Sequence, residues 1–177
     1  MKQQLVLVAG ANGAGKSSLF GDLFPGHVRV DADEIGERDR TPAGSTKIVP
    51  AGRAALGLLR SAMSDRRDIV FETTLSGATA FRAAREARRR GYGVVCIYLV
   101  LSSADQHVER VRMRVAGGGH HVPKDVIRRR FVRSRRNFSA RAGEFDAVFV
   151  LDNSDIPRCI GQRLAFEDDS AASFGVT

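Results

Sequence analysis

The segment at residues 10–17 constrains the fold more than any other part of the chain. It reads Gly-Ala-Asn-Gly-Ala-Gly-Lys-Ser and matches the pattern G-x-x-x-x-G-K-[ST]. The apolar residues 5–9 before it predict a buried strand, and helix-compatible residues resume after Gly15. A strand, a glycine-rich turn and a helix in this order direct backbone N–H groups and a helix N-terminus toward an anion. The segment therefore predicts a phosphate-binding loop (P-loop).

The residue types in this loop predict which residues bind phosphate and which binds a metal ion. Lys16 is expected to reach the β and γ phosphates of a nucleotide, and the Ser17 hydroxyl to bind Mg²⁺. The sequence contains no N-K-x-D guanine signature, which favours ATP over GTP. We predict ATP and Mg²⁺ as the cofactors, with Ser17 as the metal-binding residue. The predicted nucleotide-binding residues of the loop are Gly10, Ala11, Asn12, Gly13, Ala14, Gly15, Lys16, Ser17 and Ser18.

Apolar strands alternate with helical segments along the rest of the chain. Strands are predicted at residues 28–30, 69–71, 94–101 and 147–151, and helices at 46–65, 78–90, 104–116 and after Pro123. Strands that are apolar throughout indicate a parallel sheet covered on both faces. We predict a three-layer α/β/α P-loop NTPase with a mostly parallel sheet, in which 147–151 is the last strand. One domain is expected over residues 1–166, followed by an acidic tail at 167–177.

Charge and cysteine content limit the class of protein. The net charge of +8 comes almost entirely from arginine, which fits a phosphate-rich substrate, nucleic acid or simply a solvated surface. Cys96 and Cys159 lack metal-site spacing and predict free thiols in a reducing compartment. No apolar run approaches the ~20 residues of a membrane span. We therefore expect a cytoplasmic protein with no membrane association.

Two aspartates follow the second predicted strand, where open α/β sheets bind ligands. A carboxylate there can orient an acceptor hydroxyl and accept its proton as the hydroxyl attacks a phosphoryl group. We predict Asp33, rather than Asp31, as the catalytic and acceptor-binding carboxylate. An N-cap role for these residues stays open.

The third predicted strand ends in Glu72-Thr73-Thr74. Glu72 can hold a metal-bound water or an acceptor hydroxyl, while Thr73 and Thr74 offer neutral hydrogen-bonding groups suited to a sugar. These three residues are predicted to bind substrate. Helix capping by Thr74 or Ser76 is the structural alternative.

A glycine-rich turn at residues 117–119 lies between two arginine-rich helical segments. This arrangement suits a mobile lid, from about residue 110 to 136, that closes over bound phosphates. Adjacent His120 and His121 cannot easily face one ion, so zinc is not predicted. The lid residues predicted to act in catalysis are Arg110, Arg114, His120 and Arg130.

Four segments together resemble the zeta-toxin-like P-loop kinases: G-A-N-G-A-G-K-S, D-A-D-E-I, F-E-T-T-L-S-G, and R-V-A-G-G-G-H-H-V-P with the arginine-rich helix after it. The resemblance covers about residues 4–155. It implies that Lys16 and Ser17 hold nucleotide and magnesium, that Asp33 is catalytic, and that Glu72 and Thr74 face an acceptor sugar. Characterised zeta toxins phosphorylate a sugar hydroxyl of UDP-N-acetylglucosamine. P-loop kinases of this type often contact adenine at the position of Asp152 and Asn153, which implies the same role here; a common Asp-Asn-Ser turn is the structural alternative.

The sequence departs from the toxins at three places. His120 stands near the position where the toxins present an arginine, and Arg53 and Leu56 stand where an acceptor-binding carboxylate is expected. A long C-terminal extension is also missing. These features resemble a compact, chromosomal branch of zeta-like ATPases, and they add Arg53 to the predicted acceptor site.

The leading functional prediction is an ATP-dependent kinase acting on a small-molecule hydroxyl, such as that of a nucleotide sugar. A polynucleotide or RNA kinase, or a nucleic-acid-binding ATPase, is the first alternative, motivated by the arginines between residues 82 and 90 and by the later arginine cluster between residues 128 and 136. Single-strand binding normally uses aromatic stacking, and the chain has no tryptophan and two tyrosines. The second alternative is the toxin of a toxin–antitoxin pair, with an antitoxin as its protein partner.

Overall fold

A single sheet organises the part of the chain that the computed structural model describes, which is residues 2–31, 35 and 51–164. Its strand order is β2-β3-β1-β4-β5-β6, with β1 to β5 parallel and β6 antiparallel to β5. The strands are β1 (Gln4–Ala9), β2 (Val28–Asp31), β3 (Ile69–Thr73), β4 (Gly93–Val100), β5 (Ala147–Asp152) and β6 (Arg158–Leu164). The predicted mostly parallel sheet is confirmed.

Five helices and a short 3₁₀ turn connect the strands in the described part of the chain. They are α1 (Lys16–Phe20), α2 (Ala51–Ser64), α3 (Thr79–Arg89), α4 (Ala104–Ala116), α5 (Lys124–Arg141) and the 3₁₀ turn Ala142–Glu144. The α4 N-cap is Ser103, whose hydroxyl accepts a hydrogen bond from the Gln106 amide at 3.2 Å. None of these helices combines the length and hydropathy of a membrane span.

Both faces of the sheet are covered, which explains the continuous apolar runs. Along β1, Leu5 and Leu7 belong to the larger core, where they pack with residues of α2, α3 and α5. The alternate residues Val6 and Val8 belong to a second cluster that includes Leu19 of α1. Because every β1 side chain from Leu5 onward is buried, the strand is apolar throughout instead of alternating.

The prediction that residues 147–151 form the last strand is wrong. β6 follows β5 and pairs with it from Ala147↔Leu164 to Asp152↔Arg158. The strand lies at the sheet edge with most of its residues exposed or half-buried, so its sequence mixes charged with apolar residues. It therefore lacks the apolar run by which the buried strands are recognised. The first part of the predicted helix 46–65 and the predicted tail 167–177 lie outside the described residues.

A buried contact fixes the lid helix α5 to the sheet. The Tyr98 ring of β4 stacks on Phe138 with centroids 4.1 Å apart, and its hydroxyl lies 3.0 Å from the Ser134 hydroxyl. Burial raises the pKa of Tyr98 to about 12, which keeps the phenol neutral. The position of α5 over the sheet therefore depends on both packing and one buried hydrogen bond.

We expect Tyr98→Phe and Ser134→Ala each to lower the free energy of unfolding by about 1–3 kcal/mol. Tyr98→Phe leaves the buried Ser134 hydroxyl without its partner, and Ser134→Ala does the same to the Tyr98 hydroxyl. The double variant should lose clearly less than the sum of the two. Urea unfolding of the four proteins measures this coupling. Strict additivity would contradict the hydrogen bond.

Candidate active site

A cavity of about 630 Å³ opens where the parallel strands end at their carboxyl edge. Residues of the P-loop, β2, β3, the loop before α3, and both lid helices contribute to its wall. Most of the predicted site residues lie there: Asn12, Gly13, Gly15, Lys16, Ser17, Ser18, Glu72, Thr73, Thr74, Arg110, Arg114, Arg130 and Asn153. The structure thus brings separate sequence motifs together around one space.

The P-loop has a backbone conformation that requires glycine. Gly10, Gly13 and Gly15 have φ angles of +147°, +81° and +91°. A β-carbon at Gly10 would come 2.7 Å from the Leu99 carbonyl oxygen, and one at Gly13 would come 2.6 Å from the His107 carbonyl oxygen. Both distances are shorter than real contacts, so the loop is pressed against β4 and α4.

Two side chains at the start of α1 face the cavity. The Lys16 ammonium donates to the Gly10 carbonyl oxygen at 2.9 Å, which holds the amine across the loop. The Ser17 hydroxyl donates to Glu72 Oε2 at 2.8 Å, which joins α1 to the end of β3. Lys16 and Ser17 therefore both lie beside the P-loop at the cavity, and their roles toward phosphate and magnesium stay predictions.

Glu72 is a buried carboxylate with a counter-charge that sequence reasoning missed. It is 3% exposed, and its Oε1 accepts a hydrogen bond from the Arg29 guanidinium of β2 at 2.5 Å. Arg29 also donates to the Gly21 carbonyl oxygen at the end of α1. A buried carboxylate needs such a partner to remain charged. Arg29 therefore connects β2, β3 and α1 beneath the cavity.

The carboxylates of the β2 end are only partly described. Asp31 lines the cavity and stands in register beside Glu72, whereas Asp33, the predicted catalytic residue, lies outside the described residues. Arg53, predicted from the resemblance to contact the acceptor, is exposed on α2 and does not line the cavity. The roles of Asp33 and Arg53 stay predictions.

The segment after β3 forms an ordered wall of hydroxyl groups. Thr73 Oγ1 accepts from the Leu75 amide at 3.1 Å, and the Thr74 and Ser76 hydroxyls lie 2.9 Å apart. Leu75 is buried with a left-handed φ of +55°, and Asn137 of α5 donates to its carbonyl oxygen at 2.9 Å. The N-cap position of α3 is Ala78, without a side-chain cap, so neither Thr74 nor Ser76 caps this helix.

Each predicted lid arginine is held by a neutral oxygen. Arg110 donates to the Asn153 carbonyl oxygen at 2.7 Å, and Arg114 donates to the His120 carbonyl oxygen at 2.9 Å. Arg130 donates to Asn12 Oδ1 of the P-loop at 2.9 Å. All three arginines line the cavity, while His120 does not. Phosphate oxygens bind guanidinium more strongly than these neutral oxygens do.

The Asp152-Asn153 pair divides into two different environments. Asn153 is buried, lines the cavity, and donates through Nδ2 to the Ala14 carbonyl oxygen at 2.8 Å. It therefore supports the P-loop directly. Asp152 does not line the cavity, and its hydrogen bonds with Ser154 and Arg158 lower its pKa.

His107 of α4 is a further residue that the sequence analysis missed. It is buried, and its Nδ1 lies 2.9 Å from the Asn12 carbonyl oxygen of the P-loop. Burial lowers the pKa of His107 to about 4, with smaller contributions from Lys16 and Arg110, although the hydrogen bond to Asn12 acts in the other direction. The imidazole is therefore neutral near pH 7, and its Nδ1–H donates to the loop. Its position in an amphipathic helix gives no signal of this contact.

The residues present fit a nucleoside triphosphate with a magnesium ion. The P-loop offers a cradle that β-carbons would fill, and Lys16 stands at its edge. Ser17, Glu72 and Asp31 place oxygen atoms on one wall of the cavity, and hard divalent cations prefer oxygen ligands. Three or more His, Cys, Asp or Glu side chains do not form a metal-binding group within the described ranges. A magnesium site here would thus use few protein ligands, as is usual in phosphate-transferring sites.

Comparison with known proteins gives both a sequence family and structural neighbours. The family model described as Zeta toxin matches residues 1–164. An uncharacterized protein of Haemophilus influenzae is 26% identical over 132 residues, which is 74% of this chain and 94% of that protein. The match extends the predicted range of 4–155 at both ends.

Solved structures share the fold at low sequence identity. A chain of the PezAT chromosomal toxin–antitoxin system of Streptococcus pneumoniae aligns with a TM-score of 0.65 and 13% identity over 98% of this chain and 75% of its own. The AvrRxo1-ORF1:-ORF2 structure with ATP gives 0.68 and 14% over 93% of this chain and 59% of that one. A gluconokinase of Sinorhizobium meliloti 1021 gives 0.51 and 18%, over 84% and 82% respectively.

We expect Arg29→Met to lower the free energy of unfolding by about 1–3 kcal/mol, because it leaves Glu72 buried without its cation. The value is below that of a fully buried pair because Arg29 is 39% exposed. Adding Glu72→Gln should recover part of the loss. Arg112→Met is the matched control, since its partner Glu109 is 50% exposed, and we expect a clearly smaller loss than in Arg29→Met. Equal losses in the two arginine variants, measured by urea unfolding, would contradict the buried pair.

The low pKa of His107 predicts a pH-dependent stability. The folded value is about 4 and the ordinary value is 6.5, so the fold favours the neutral ring. This contribution is complete above pH 6.5 and is lost as the pH falls toward 4, by about 3 kcal/mol in total. His107→Gln should remove that component from the pH profile of unfolding, and His121→Gln, at an exposed position, should not. Parallel profiles for the parent and His107→Gln would show that the ring titrates normally.

Proposed function

Because the chain belongs to the zeta toxin family, we propose that it is an ATP-dependent phosphotransferase that acts on a hydroxyl group of a small molecule. The observation that carries this proposal is the arrangement of the cavity. Lys16 and Ser17 lie on its P-loop side, and the hydroxyl-bearing segment from Thr73 to Thr79 lies on another side. A donor nucleotide and an acceptor alcohol can therefore meet in one space.

The P-loop side is the proposed nucleotide site. Backbone N–H groups of residues 10–17 and the start of α1 favour phosphate oxygens, and Lys16 can exchange its bond to the Gly10 carbonyl oxygen for one to a phosphate. Asn153 holds this loop in place through Ala14. A structural neighbour, AvrRxo1-ORF1:-ORF2, has been solved with ATP, which supports ATP as the nucleotide here.

Ser17 and Glu72 are the proposed holders of magnesium. When bound, Mg²⁺ would neutralise developing charge on the transferred phosphoryl group. The Ser17 hydroxyl and the Glu72 carboxylate already lie within hydrogen-bond distance of each other, so neither has to move far to share one ion. The hydrogen bond from Arg29 holds the Glu72 carboxylate in a fixed direction.

The β2–β3 side is the proposed acceptor site. Asp33 would orient the attacking hydroxyl and accept its proton. Asp31, two residues before it, is the β2 carboxylate that lines the cavity. Thr73, Thr74 and Ser76 offer hydroxyl groups to a polyhydroxylated acceptor. A nucleotide sugar such as UDP-N-acetylglucosamine is the acceptor we propose from the family resemblance.

The lid arginines would stabilise charge during transfer. In the structure each donates to a neutral oxygen, at Asn153, His120 or Asn12. Phosphate oxygens entering the cavity compete for the same guanidinium groups, because a phosphate adds its own negative charge and can accept two parallel N–H bonds from one guanidinium. Arg110, Arg114 and Arg130 can therefore move from internal partners to the substrate without leaving buried charge unpaired.

A toxin function is the second candidate. It rests on the family and on the structural neighbour from the PezAT toxin–antitoxin system, which motivates an antitoxin as a protein partner. Both candidates use the same chemistry, in a cytoplasmic location. Expression toxicity that Lys16→Ala relieves would support the toxin, and equal growth with both forms would oppose it.

We expect Lys16→Ala to lower ATP turnover by about 10²–10³-fold, because it removes a preorganised positive charge from the phosphate site. Asp33→Ala should keep nucleotide binding within a few-fold of the parent and slow transfer by about 10²–10⁴-fold. Calorimetry with ATP and Mg²⁺ measures binding, and labelled ATP measures transfer. Lys124→Ala and Asp22→Ala, both at exposed positions, are the controls. Transfer at the parental rate by the Asp33 variant would move the role to Asp31.

The acceptor is identified by incubating the protein with labelled ATP and a panel of nucleotide sugars, amino sugars and short RNAs. We expect label on a sugar hydroxyl. Label on an RNA end would replace the small-molecule proposal with the polynucleotide kinase. The absence of heat with any adenosine polyphosphate in the presence of Mg²⁺ would overturn the nucleotide site itself.

A further inference from the structure

One surface of the lid helix α5 carries arginines that the proposed active site does not use. Arg129, Arg133 and Arg136 are exposed along it and form what we call the arginine stripe. Together with Arg128 and the exposed Val132, they line a shallow groove of about 530 Å³. The stripe is therefore a continuous cationic feature of the exposed face of α5.

The stripe faces away from the ATP-binding cavity. Ile127, Ser134 and Phe138 are the buried residues of α5, and they fix which side of the helix faces the protein. Arg130 is the α5 arginine that reaches the cavity. Because the helix is anchored on its buried side, the stripe cannot turn inward to serve the same phosphates.

The stripe also differs from most other surface arginines in the described ranges. Many other exposed arginines pair with carboxylates, as Arg85 does with Glu144, Arg112 with Glu109 and Arg158 with Asp152. The side chains of the three stripe residues make no ion pair or hydrogen bond within the part of the chain that the structure describes. Arg129 and Arg133 are one turn apart, and like charges at that spacing repel each other. An external polyanion would remove this repulsion.

The dimensions of the stripe match a nucleic-acid backbone. Seven residues separate Arg129 from Arg136, which corresponds to about 10.5 Å along a helix. Each strand of a DNA duplex presents one phosphate per about 3.4 Å of axis, so the stripe spans about three phosphates. Guanidinium groups bind phosphate oxygens through paired hydrogen bonds.

The chemistry around the stripe favours a duplex over other polyanions. Single-stranded nucleic acid is normally held by stacking on aromatic side chains, and a protein partner normally meets an apolar centre. Val132 is the one large exposed apolar side chain of α5, and its phenylalanines are buried or half-buried. We propose that the arginine stripe binds the phosphate backbone of double-stranded nucleic acid, independently of base sequence and of the active site.

The salt dependence of duplex binding tests this proposal. Fluorescence anisotropy with a labelled DNA duplex and a labelled RNA duplex gives log Kd against log salt concentration. We expect the triple variant Arg129→Gln/Arg133→Gln/Arg136→Gln to lower the magnitude of the slope by about 2.7, since each lost phosphate contact removes about 0.9. Both duplexes should show the same change, because the stripe reads only the backbone phosphates.

A matched triple variant on another helix controls for net charge. Arg82→Gln/Arg85→Gln/Arg89→Gln removes the same charge from exposed positions of α3, and we expect its slope to change by less than about 1. Equal changes in the two variants would overturn the stripe as the site. An unchanged slope in the stripe variant would also overturn it. So would a steeper slope with a labelled single-stranded oligonucleotide than with the duplexes, or stronger competition by polyglutamate than by unlabelled duplex.

Two further measurements separate this result from folding and from the kinase proposal. Circular dichroism should show the same helix content in the parent and both triple variants. ATP binding should also be unchanged, because the stripe does not line the cavity. Loss of duplex binding with ATP binding intact supports a separate site, and concurrent loss of both overturns it.

Discussion

The close packing of the P-loop backbone against β4 and α4 is the constraint on which the rest of the site depends. Gly10 and Gly13 approach the carbonyl oxygens of Leu99 and His107 too closely for any side chain. The loop is thereby fixed before any ligand arrives, and with it the direction of α1. Hydrogen bonds from His107 and Asn153 to loop carbonyl oxygens complete this support. A cradle made of backbone donors works only when such external contacts hold its shape, because the loop has few side chains of its own.

Opposite charges are distributed over the cavity in a way that suits transfer between two ligands. The lid contributes arginines, and the ends of β2 and β3 contribute Asp31 and Glu72. Glu72 is buried, and each of its carboxylate oxygens accepts one hydrogen bond, from Arg29 and from Ser17. The lid arginines, in contrast, are held by neutral oxygens that a phosphate can replace. Glu72 is therefore held by two fixed partners, while in the proposed reaction the arginines could exchange theirs for phosphate oxygens.

Patterns within a few residues predicted much of this structure. Contacts between residues far apart in the sequence were not predicted. The strand–loop–helix at the P-loop and the buried strands follow from patterns within a few residues, and they are confirmed. The family resemblance is confirmed as well. β6 was missed because an exposed edge strand has no apolar run. Arg29 was missed because its contact with Glu72 spans 43 residues and depends on β2 lying beside β3, which no local pattern reveals. His107 and Asn153 were not recognised as supports of the loop for the same reason.

The left-handed backbone of Leu75 has a consequence for the proposed acceptor side of the cavity. A buried, non-glycine residue with a φ of +55° carries a strain on the order of 1–3 kcal/mol, and the bonds from Asn137 and to Thr73 hold it there. The free-energy cost of this strain is incurred when the domain folds. The entropy of ordering the segment is likewise lost at that stage, so an alcohol of the proposed kind would meet hydroxyl groups that are already in position. The binding free energy of such an acceptor would then remain available for aligning its oxygen with the phosphorus atom, instead of being consumed in ordering this wall.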